Sequence, residues 1–188
     1  ERRQFMVFGF DTMADAARCL MGVVGSGILP SAATCMDRMA MDAVEAHARA
    51  GLPDGAGAIL VLELAGSKDE VAAQDAWMRE ITSPFAPKPI ISTSDDSEAE
   101  RMRQARDSIF AALGRVASFF CADGAVPLSA LADALVQVEE ICASHGVRCA
   151  SVVPAGDGHI CSLVLFEFDN AAEQERAHRA CSDILAMC

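Results

Sequence analysis

SVVPAGDGHICSLVLFEFD, residues 151–169, holds two apolar runs rich in β-forming residues on either side of Gly156-Asp157-Gly158. Asp-Gly between alternating apolar segments is among the strongest short-range signals for a β-hairpin. His159 and Cys161 lie two residues apart, so on a strand both side chains point to one face. The segment therefore predicts a hairpin. From the spacing alone, the simplest interpretation is a tight turn that joins two core strands and has no further role.

The composition indicates a folded, acidic protein. Hydrophobic residues make up 52% of its 188 residues, and the formal net charge is −12. This charge argues against nucleic acid as a partner, because neutralising phosphates needs clustered Lys and Arg. An anionic substrate would need a specific Arg to attract it against the overall field. No apolar run reaches the roughly 20 residues of a membrane helix, and no signal peptide is predicted.

The eight cysteines show no Cys-x-x-Cys pair and no regular disulfide framework. Several fall within apolar stretches, as Cys19 and Cys142 do, where free thiols behave as small hydrophobic side chains. This usage predicts a reduced, cytoplasmic protein.

The predicted order of elements is β-α-β-α-β-α-β, then a linking helix, then β-α-β-β-α. It indicates an α+β fold of duplicated ferredoxin-like split β-α-β subdomains, with antiparallel sheets and helices on one face. Three prolines within residues 83–89 mark the boundary. The first subdomain is predicted at residues 1–93. The second, with the linking helix and without its last strand, is predicted at residues 94–188.

Helix starts follow from capping residues. Thr12, Ser67, Ser129 and Asn170 each precede an apolar-periodic segment and are predicted N-caps. Acidic residues from Asp95 onward open a long helix predicted to continue to Ala117.

Four segments, in this order, resemble the C-terminal, substrate-side domain of the FAD-linked oxidases. This family includes glycolate oxidase, D-lactate dehydrogenase and D-2-hydroxyglutarate dehydrogenase. Residues 8–53 resemble its opening strand, helix and Met-Asp-Arg helix, and residues 103–141 contain its Arg-x-x-x-Phe helix and Asp-Gly-x-x-Pro strand end. Ala155-Gly156-Asp157-Gly158 matches the centre of the family motif His-Ala-Gly-Asp-Gly-Asn-x-His. The likeness covers nearly the whole chain.

The resemblance implies site residues. It assigns Arg106 to the family Arg that binds the carboxylate of a 2-hydroxy acid, a task that suits a planar guanidinium. The alternative is a solvated Arg that pairs with Glu98 or Glu100. The active-site loop would comprise Ala155, Gly156, Asp157, Gly158, His159 and Cys161.

The family's two motif histidines are metal ligands, and here Pro154 and Cys161 stand in their places. Proline cannot ligate a metal, and His159 with Cys161 supplies only two of the four ligands of a closed zinc site. No metal is therefore predicted, and the alternative for His159 is a surface residue beside the turn. This chain also departs from the family at Cys121, near which some relatives carry a Lys that contacts substrate, and at Leu128, where many carry Arg.

The resemblance predicts the substrate-side part of an FAD-dependent 2-hydroxy-acid dehydrogenase, of the glycolate or D-lactate oxidase type. FAD would bind mainly to an N-terminal domain of the same parent protein, which is the expected partner besides the small hydroxy acid. The chain alone is predicted to be inactive. Two alternatives stay open: a non-catalytic ferredoxin-like module that binds a ligand or forms a homodimer through its sheet, and a flavin-linked relative that uses no metal.

Overall fold

The computed structural model describes residues 2–27 and 29–188, which form one seven-stranded sheet and seven α-helices. The elements are β1 (Arg2–Phe10), α1 (Met13–Gly25), β2 (Ala32–Asp37), α2 (Arg38–Ala48), β3 (Ala58–Gly66), α3 (Lys68–Thr82), β4 (Ile90–Thr93), α4 (Asp96–Asp107), α5 (Ile109–Leu113), β5 (Ser118–Ala125), α6 (Leu131–His145), β6 (Arg148–Val153), β7 (His159–Phe166) and α7 (Ala171–Met187). The strand order is β4-β1-β3-β2-β6-β7-β5, with all neighbours antiparallel. The predicted α+β class is confirmed. None of the described helices is long and apolar enough to cross a membrane.

Side chains alternate along each strand and give the sheet two faces. We call the side of Phe5, Val61 and Leu163 the front face, and the side of Phe8, Leu60 and Ile160 the back face. Helices α1, α3, α6 and α7 pack on the back face, in the layer that a ferredoxin-like fold predicts. The structure adds a second layer, because α2, α4 and α5 pack on the front face.

The sheet joins two groups of strands. Strands β1 to β4 come from residues before 94, and β5 to β7 from residues after 94. The groups meet where β2 pairs with β6, through Cys35 with Val153 and Met36 with Val152. The division into subdomains at residues 93 and 94 stays a prediction, and residues 1 and 28 of its first part lie outside the described residues.

Three of the predicted N-caps are confirmed. The side chains of Thr12, Ser67 and Asn170 accept hydrogen bonds from the first turns of α1, α3 and α7. Ser129 is not a cap, because Leu128–Ala130 form a 3-10 turn after Pro127 and α6 begins at Leu131.

The predicted long helix up to Ala117 is also wrong, because it is broken at Ser108. The Ser108 hydroxyl donates to the carbonyl of Ala105 at 2.9 Å, an alternative to regular helix bonding.

Candidate functional site

The loop between β6 and β7 confirms the predicted hairpin, with residues 154–158 forming the connection. Asp157 Oδ1 accepts a hydrogen bond from the N–H of His159 at 3.1 Å, which closes a turn at the start of β7. Gly158 has φ +90, and a Cβ there would lie 2.1 Å from the carbonyl oxygen of Val126. Only glycine fits this position, so the local backbone conformation and the contact with Val126 explain why the motif has glycine at residue 158.

Four polar side chains meet on the front face where β5 and β7 pair. His159 Nε2 is hydrogen-bonded to Asp123 Oδ1 across the two strands. The Sγ atoms of Cys121 and Cys161 lie 3.4 Å apart. His159 and Cys161 thus point to one face, as their spacing predicts. The four groups form two separate pairs rather than one convergent set.

Burial decides the state of the Cys161 thiol. Cys161 is 5% exposed, whereas Cys121 is exposed. Burial, followed by the hydrogen bond with Cys121 and the nearby Asp123 carboxylate, raises the pKa of Cys161 above its usual range. The free thiol therefore stays protonated at neutral pH.

The residues at the hairpin do not fit the metal set that the resemblance implies. Pro154 offers no ligand, His159 is bonded to Asp123, and Cys161 lies beside Cys121 in a separate pair. Across residues 2–27 and 29–188, no group of three or more His, Cys, Asp or Glu side chains is arranged to hold a metal ion. The absence of a metal in the protein stays a prediction.

Arg106 lies near the end of α4, over the front face, with 21% of its side chain exposed. Its Nη1 donates to Glu63 Oε2 at 3.2 Å, and its Nε donates to Asp107 Oδ1 at 3.2 Å. The alternative that Arg106 pairs with Glu98 or Glu100 does not hold, because Glu100 pairs with Arg103 and Glu98 pairs with Arg101. Arg106 is thus neither solvated nor free but tied to a buried acid.

Sequence reasoning missed Glu63, which lies 43 residues from Arg106. It is 4% exposed and also accepts a hydrogen bond from Arg3 Nη1 at 2.9 Å. A signal was present, since Glu63 is the one charged residue in AILVLELAG, residues 58–66. A charge in an otherwise apolar buried strand indicates an ion pair.

Arg106 and the hairpin share the front face but do not touch. Glu63 lies on β3 and Cys161 on β7, and the order β3-β2-β6-β7 places three strand spacings, roughly 14 Å, between these strands. The pairing register also sets Cys161 level with Ile59, so Glu63 lies four residues, roughly 13 Å, further along β3. A cavity of about 380 Å³ lies beside the loop and is lined by Val24, Leu29–Ala33 and residues 154–157. Arg106 does not line this cavity. The structure thus brings together Cys121, Asp123, His159 and Cys161, and holds Arg106 apart from them.

A second cavity, of about 620 Å³, opens where β2 ends and was not predicted. Its lining includes four carboxylates, Asp11, Asp37, Asp42 and Glu139, and the cation Arg38. Arg38 is already paired with Asp42 at 2.9 Å. Excess negative charge makes this cavity unsuitable for a carboxylate substrate.

Comparison with known families identifies the family of this chain. The sequence profile described as "FAD linked oxidases, C-terminal domain" matches residues 1–188. The chain belongs to this family. The predicted resemblance is therefore confirmed over the full chain.

The curated relatives are similar along nearly the whole chain. "Glycolate oxidase subunit GlcD" of Escherichia coli (strain K12) is 29% identical over 184 residues, which cover 97% of this chain and 37% of that protein. The protein of the same description from Bacillus subtilis (strain 168) is 23% identical over 98% of this chain and 39% of its own length. The chain thus spans less than two fifths of the relatives it matches.

Solved structures show the same fold at low identity. The 4-ethylphenol oxidase from Gulosibacter chungangensis aligns with 98% of this chain and 43% of its own, with a TM-score of 0.70 and 11% identity. A p-cresol methylhydroxylase with bound substrate aligns with 100% of this chain and 43% of its own, with a TM-score of 0.71 and 14% identity. At these identities the likeness concerns the fold alone.

Proposed function

We propose that this chain is the substrate-side domain of an FAD-dependent enzyme that oxidises a 2-hydroxy acid to a 2-oxo acid, of the glycolate or D-lactate oxidase type. The observation that carries the proposal is the family match over residues 1–188. The 29% identity to the glycolate oxidase subunit GlcD supports the reaction class. FAD would bind mainly to another domain of the parent protein, since this chain spans 37% of that relative.

In this proposal Arg106 binds the substrate carboxylate. Its guanidinium keeps Nη2 without a bond to any residue in the ranges 2–27 and 29–188, so two N–H donors are available to an anion. The permanent positive charge offsets the repulsion expected from a net charge of −12. Arg106 would then hold the acid in a fixed orientation while its C–H bond reacts.

The loop from Ala155 to Cys161 would border the reacting carbon. Its backbone is fixed by the Asp157–His159 turn and by the close approach of Gly158 to Val126. When bound, the flavin supplies the hydride acceptor, and this domain supplies orientation and electrostatics. Because Arg106 is bonded to Glu63 on β3 and the loop leads into β7, three strand spacings away, a contact beyond this chain would complete the site between them.

The cytoplasmic location belongs to the same proposal. All eight cysteines are free thiols, which suits a reducing compartment. The acidic charge likewise argues against nucleic acid as a partner.

One observation favours a second candidate, the non-catalytic module that binds a ligand or forms a homodimer. Both metal-ligand positions of the family motif are replaced, and His159 is engaged with Asp123. Such a module would lack hydroxy-acid chemistry even beside a flavin domain.

The experiment that separates the two uses the full-length protein. Its flavin content is measured after purification, and its anaerobic bleaching is followed with a panel of D- and L-2-hydroxy acids. Reduction by at least one member of the panel supports the enzyme. Bound flavin that no hydroxy acid reduces favours the module.

A further inference from the structure

The buried carboxylate of Glu63 lies between two guanidinium groups on the front face. Its two oxygens are divided between them: Oε1 accepts from Arg3 Nη1 at 2.9 Å and Oε2 accepts from Arg106 Nη1 at 3.2 Å. Glu63 projects from β3, which has β1 on one side and β2 on the other. The carboxylate therefore stands on a rigid, interior strand, the kind of support that holds a functional group accurately.

Two arginines share the Glu63 carboxylate, so the direct partners of Glu63 more than balance its charge. Asp107, which bonds Arg106 Nε, is 64% exposed and strongly screened by water. Asp96 and Glu100 line the same cleft as Arg3 and Glu63, so an anion would depend on the Arg106 guanidinium itself rather than on the net local charge. Arg3 is 51% exposed, whereas Arg106 is 21% exposed and so is the better desolvated of the two cations.

Burial makes this more than a surface ion pair. A carboxylate that is 4% exposed is costly unless its oxygens are bonded, so the two arginines and Glu63 depend on one another. A guanidinium held by Nη1 and Nε has a fixed plane, and its Nη2 hydrogens point in a defined direction. When Arg106 shares its charge with a ligand carboxylate, Arg3 still neutralises Glu63, so no buried charge is left unpaired.

We propose that Glu63 is a positioning residue of the anion site: it fixes the orientation of the Arg106 guanidinium, and Arg3 keeps Glu63 neutralised while Arg106 binds a ligand carboxylate. The proposal rests on the proposed function, because it assigns Arg106 to the substrate carboxylate. The rival account is that Glu63 merely competes with the ligand for Arg106. The two accounts predict opposite effects of removing the Glu63 charge.

The test uses the full-length flavoprotein and oxalate as the probe. Oxalate is a planar dicarboxylate without a C–H bond, so it binds as a 2-oxo acid would and cannot be oxidised by hydride loss. Its dissociation constant is read from the change in flavin absorbance, independently of turnover. We expect Glu63→Gln to weaken oxalate binding about tenfold, since a misplaced anchor loses its aligned donors. Glu63→Asp, which keeps the charge, should recover part of the loss.

Arg103→Gln is the matched control, because it removes a cation of the same helix that pairs with Glu100 rather than with Glu63. It should change the oxalate dissociation constant by no more than about twofold. Arg3→Gln should weaken oxalate binding, since Glu63 then has no second cation to neutralise it when Arg106 binds the ligand. If Glu63→Gln alone lowers stability too far for the measurement, the double variant R3Q/E63Q replaces both charged side chains with amides that can bond each other. It then tests how the loss of the Glu63 charge affects oxalate binding by Arg106.

Tighter or unchanged oxalate binding in Glu63→Gln would overturn the positioning role while the proposed function stands. A wild-type flavoprotein that neither binds oxalate nor is reduced by any 2-hydroxy acid would overturn the proposed function, and this role with it.

Discussion

The carboxylate of Asp37 links the two groups of strands: its Oδ2 accepts a hydrogen bond from the N–H of Ser151 at 2.5 Å, and its Oδ1 accepts from the N–H of Ala40 at 2.9 Å. Asp37 is the last residue of β2 and the N-cap of α2, and Ser151 is in β6. One side chain therefore caps a helix and extends the short β2–β6 pairing. Asp37 is held at the joint of the sheet, where a loss of either bond affects both groups.

The pH dependence of stability should carry the signature of this residue. Burial raises the pKa of Asp37 to about 6 from its ordinary 3.8, more than its bonds to Ala40 and Ser151 lower it, and Glu139 raises it further. The folded state then binds a proton that the unfolded state has lost, so Asp37 makes stability fall as pH rises between about 4 and 6. At roughly 1.4 kcal/mol per pKa unit, the loss is about 3 kcal/mol.

Asp37→Asn isolates this effect in urea unfolding at several pH values. The amide cannot titrate, and its NH₂ cannot accept from Ser151, so the variant is less stable than wild type at pH 4. The stability difference between the two proteins should shrink as pH rises to 7. A constant difference across this range would contradict a half-buried Asp37 carboxylate that binds a proton in the folded state.

Gly158 should be the most sensitive glycine of the hairpin loop. Ala at this position combines φ +90 with a Cβ 2.1 Å from the carbonyl oxygen of Val126, so we expect a loss of about 3 kcal/mol or more in the free energy of unfolding. Gly55 is the matched control, since it has φ +84 with nothing within 4 Å of an added Cβ. Gly55→Ala should cost about 1 kcal/mol. Equal losses in the two variants would show that the clash with Val126 is not present.

Local patterns predicted the elements that depend on neighbouring residues. The caps Thr12 and Asn170 and the hairpin around Asp157 follow from a few adjacent residues, whose backbone preferences act within one turn. The break at Ser108 was missed because the helix pattern of residues 95–117 continues on both sides of it. Tertiary packing across the front face, which the pattern does not encode, decides where that helix turns.

The site was predictable in composition but not in arrangement. The spacing of His159 and Cys161 gave their common face, since that follows from strand geometry alone. The partners Glu63 and Asp123 were missed because they lie 43 and 36 residues from the groups they bond. Contacts at such separations are fixed by strand order, and no local pattern carries strand order.

Arg106→Ala tests the proposed carboxylate anchor in the full-length enzyme. We expect kcat/KM for 2-hydroxy acids to fall by the equivalent of about 2–3 kcal/mol, the usual size of a charged hydrogen-bond pair. The fold should tolerate the change, since Glu63 keeps its ion pair with Arg3. Arg103→Ala on the same helix, which loses only a half-exposed pair with Glu100, serves as the control with unchanged kinetics. Unaltered kinetics in Arg106→Ala would remove this residue from the site.

Metal analysis tests the chemistry of the hairpin. Because Pro154 cannot ligate and His159 with Cys161 supplies only two of the four ligands of a closed zinc site, we expect no stoichiometric zinc in the purified protein. Prolonged dialysis against a chelator should leave the rate of flavin reduction unchanged. One bound equivalent of zinc, with loss of activity on its removal, would show that the altered motif still holds a metal.

The central claim is that these 188 residues work as the substrate-side domain of a flavin-dependent 2-hydroxy-acid oxidising enzyme. Its most direct test is anaerobic stopped-flow measurement of flavin absorbance in the full-length protein after mixing with D-2-hydroxy acids. The account predicts reduction by at least one of these acids, with the matching 2-oxo acid as product, and no conversion by the isolated chain. A full-length protein that binds flavin but is not reduced by any hydroxy acid, D or L, would contradict it.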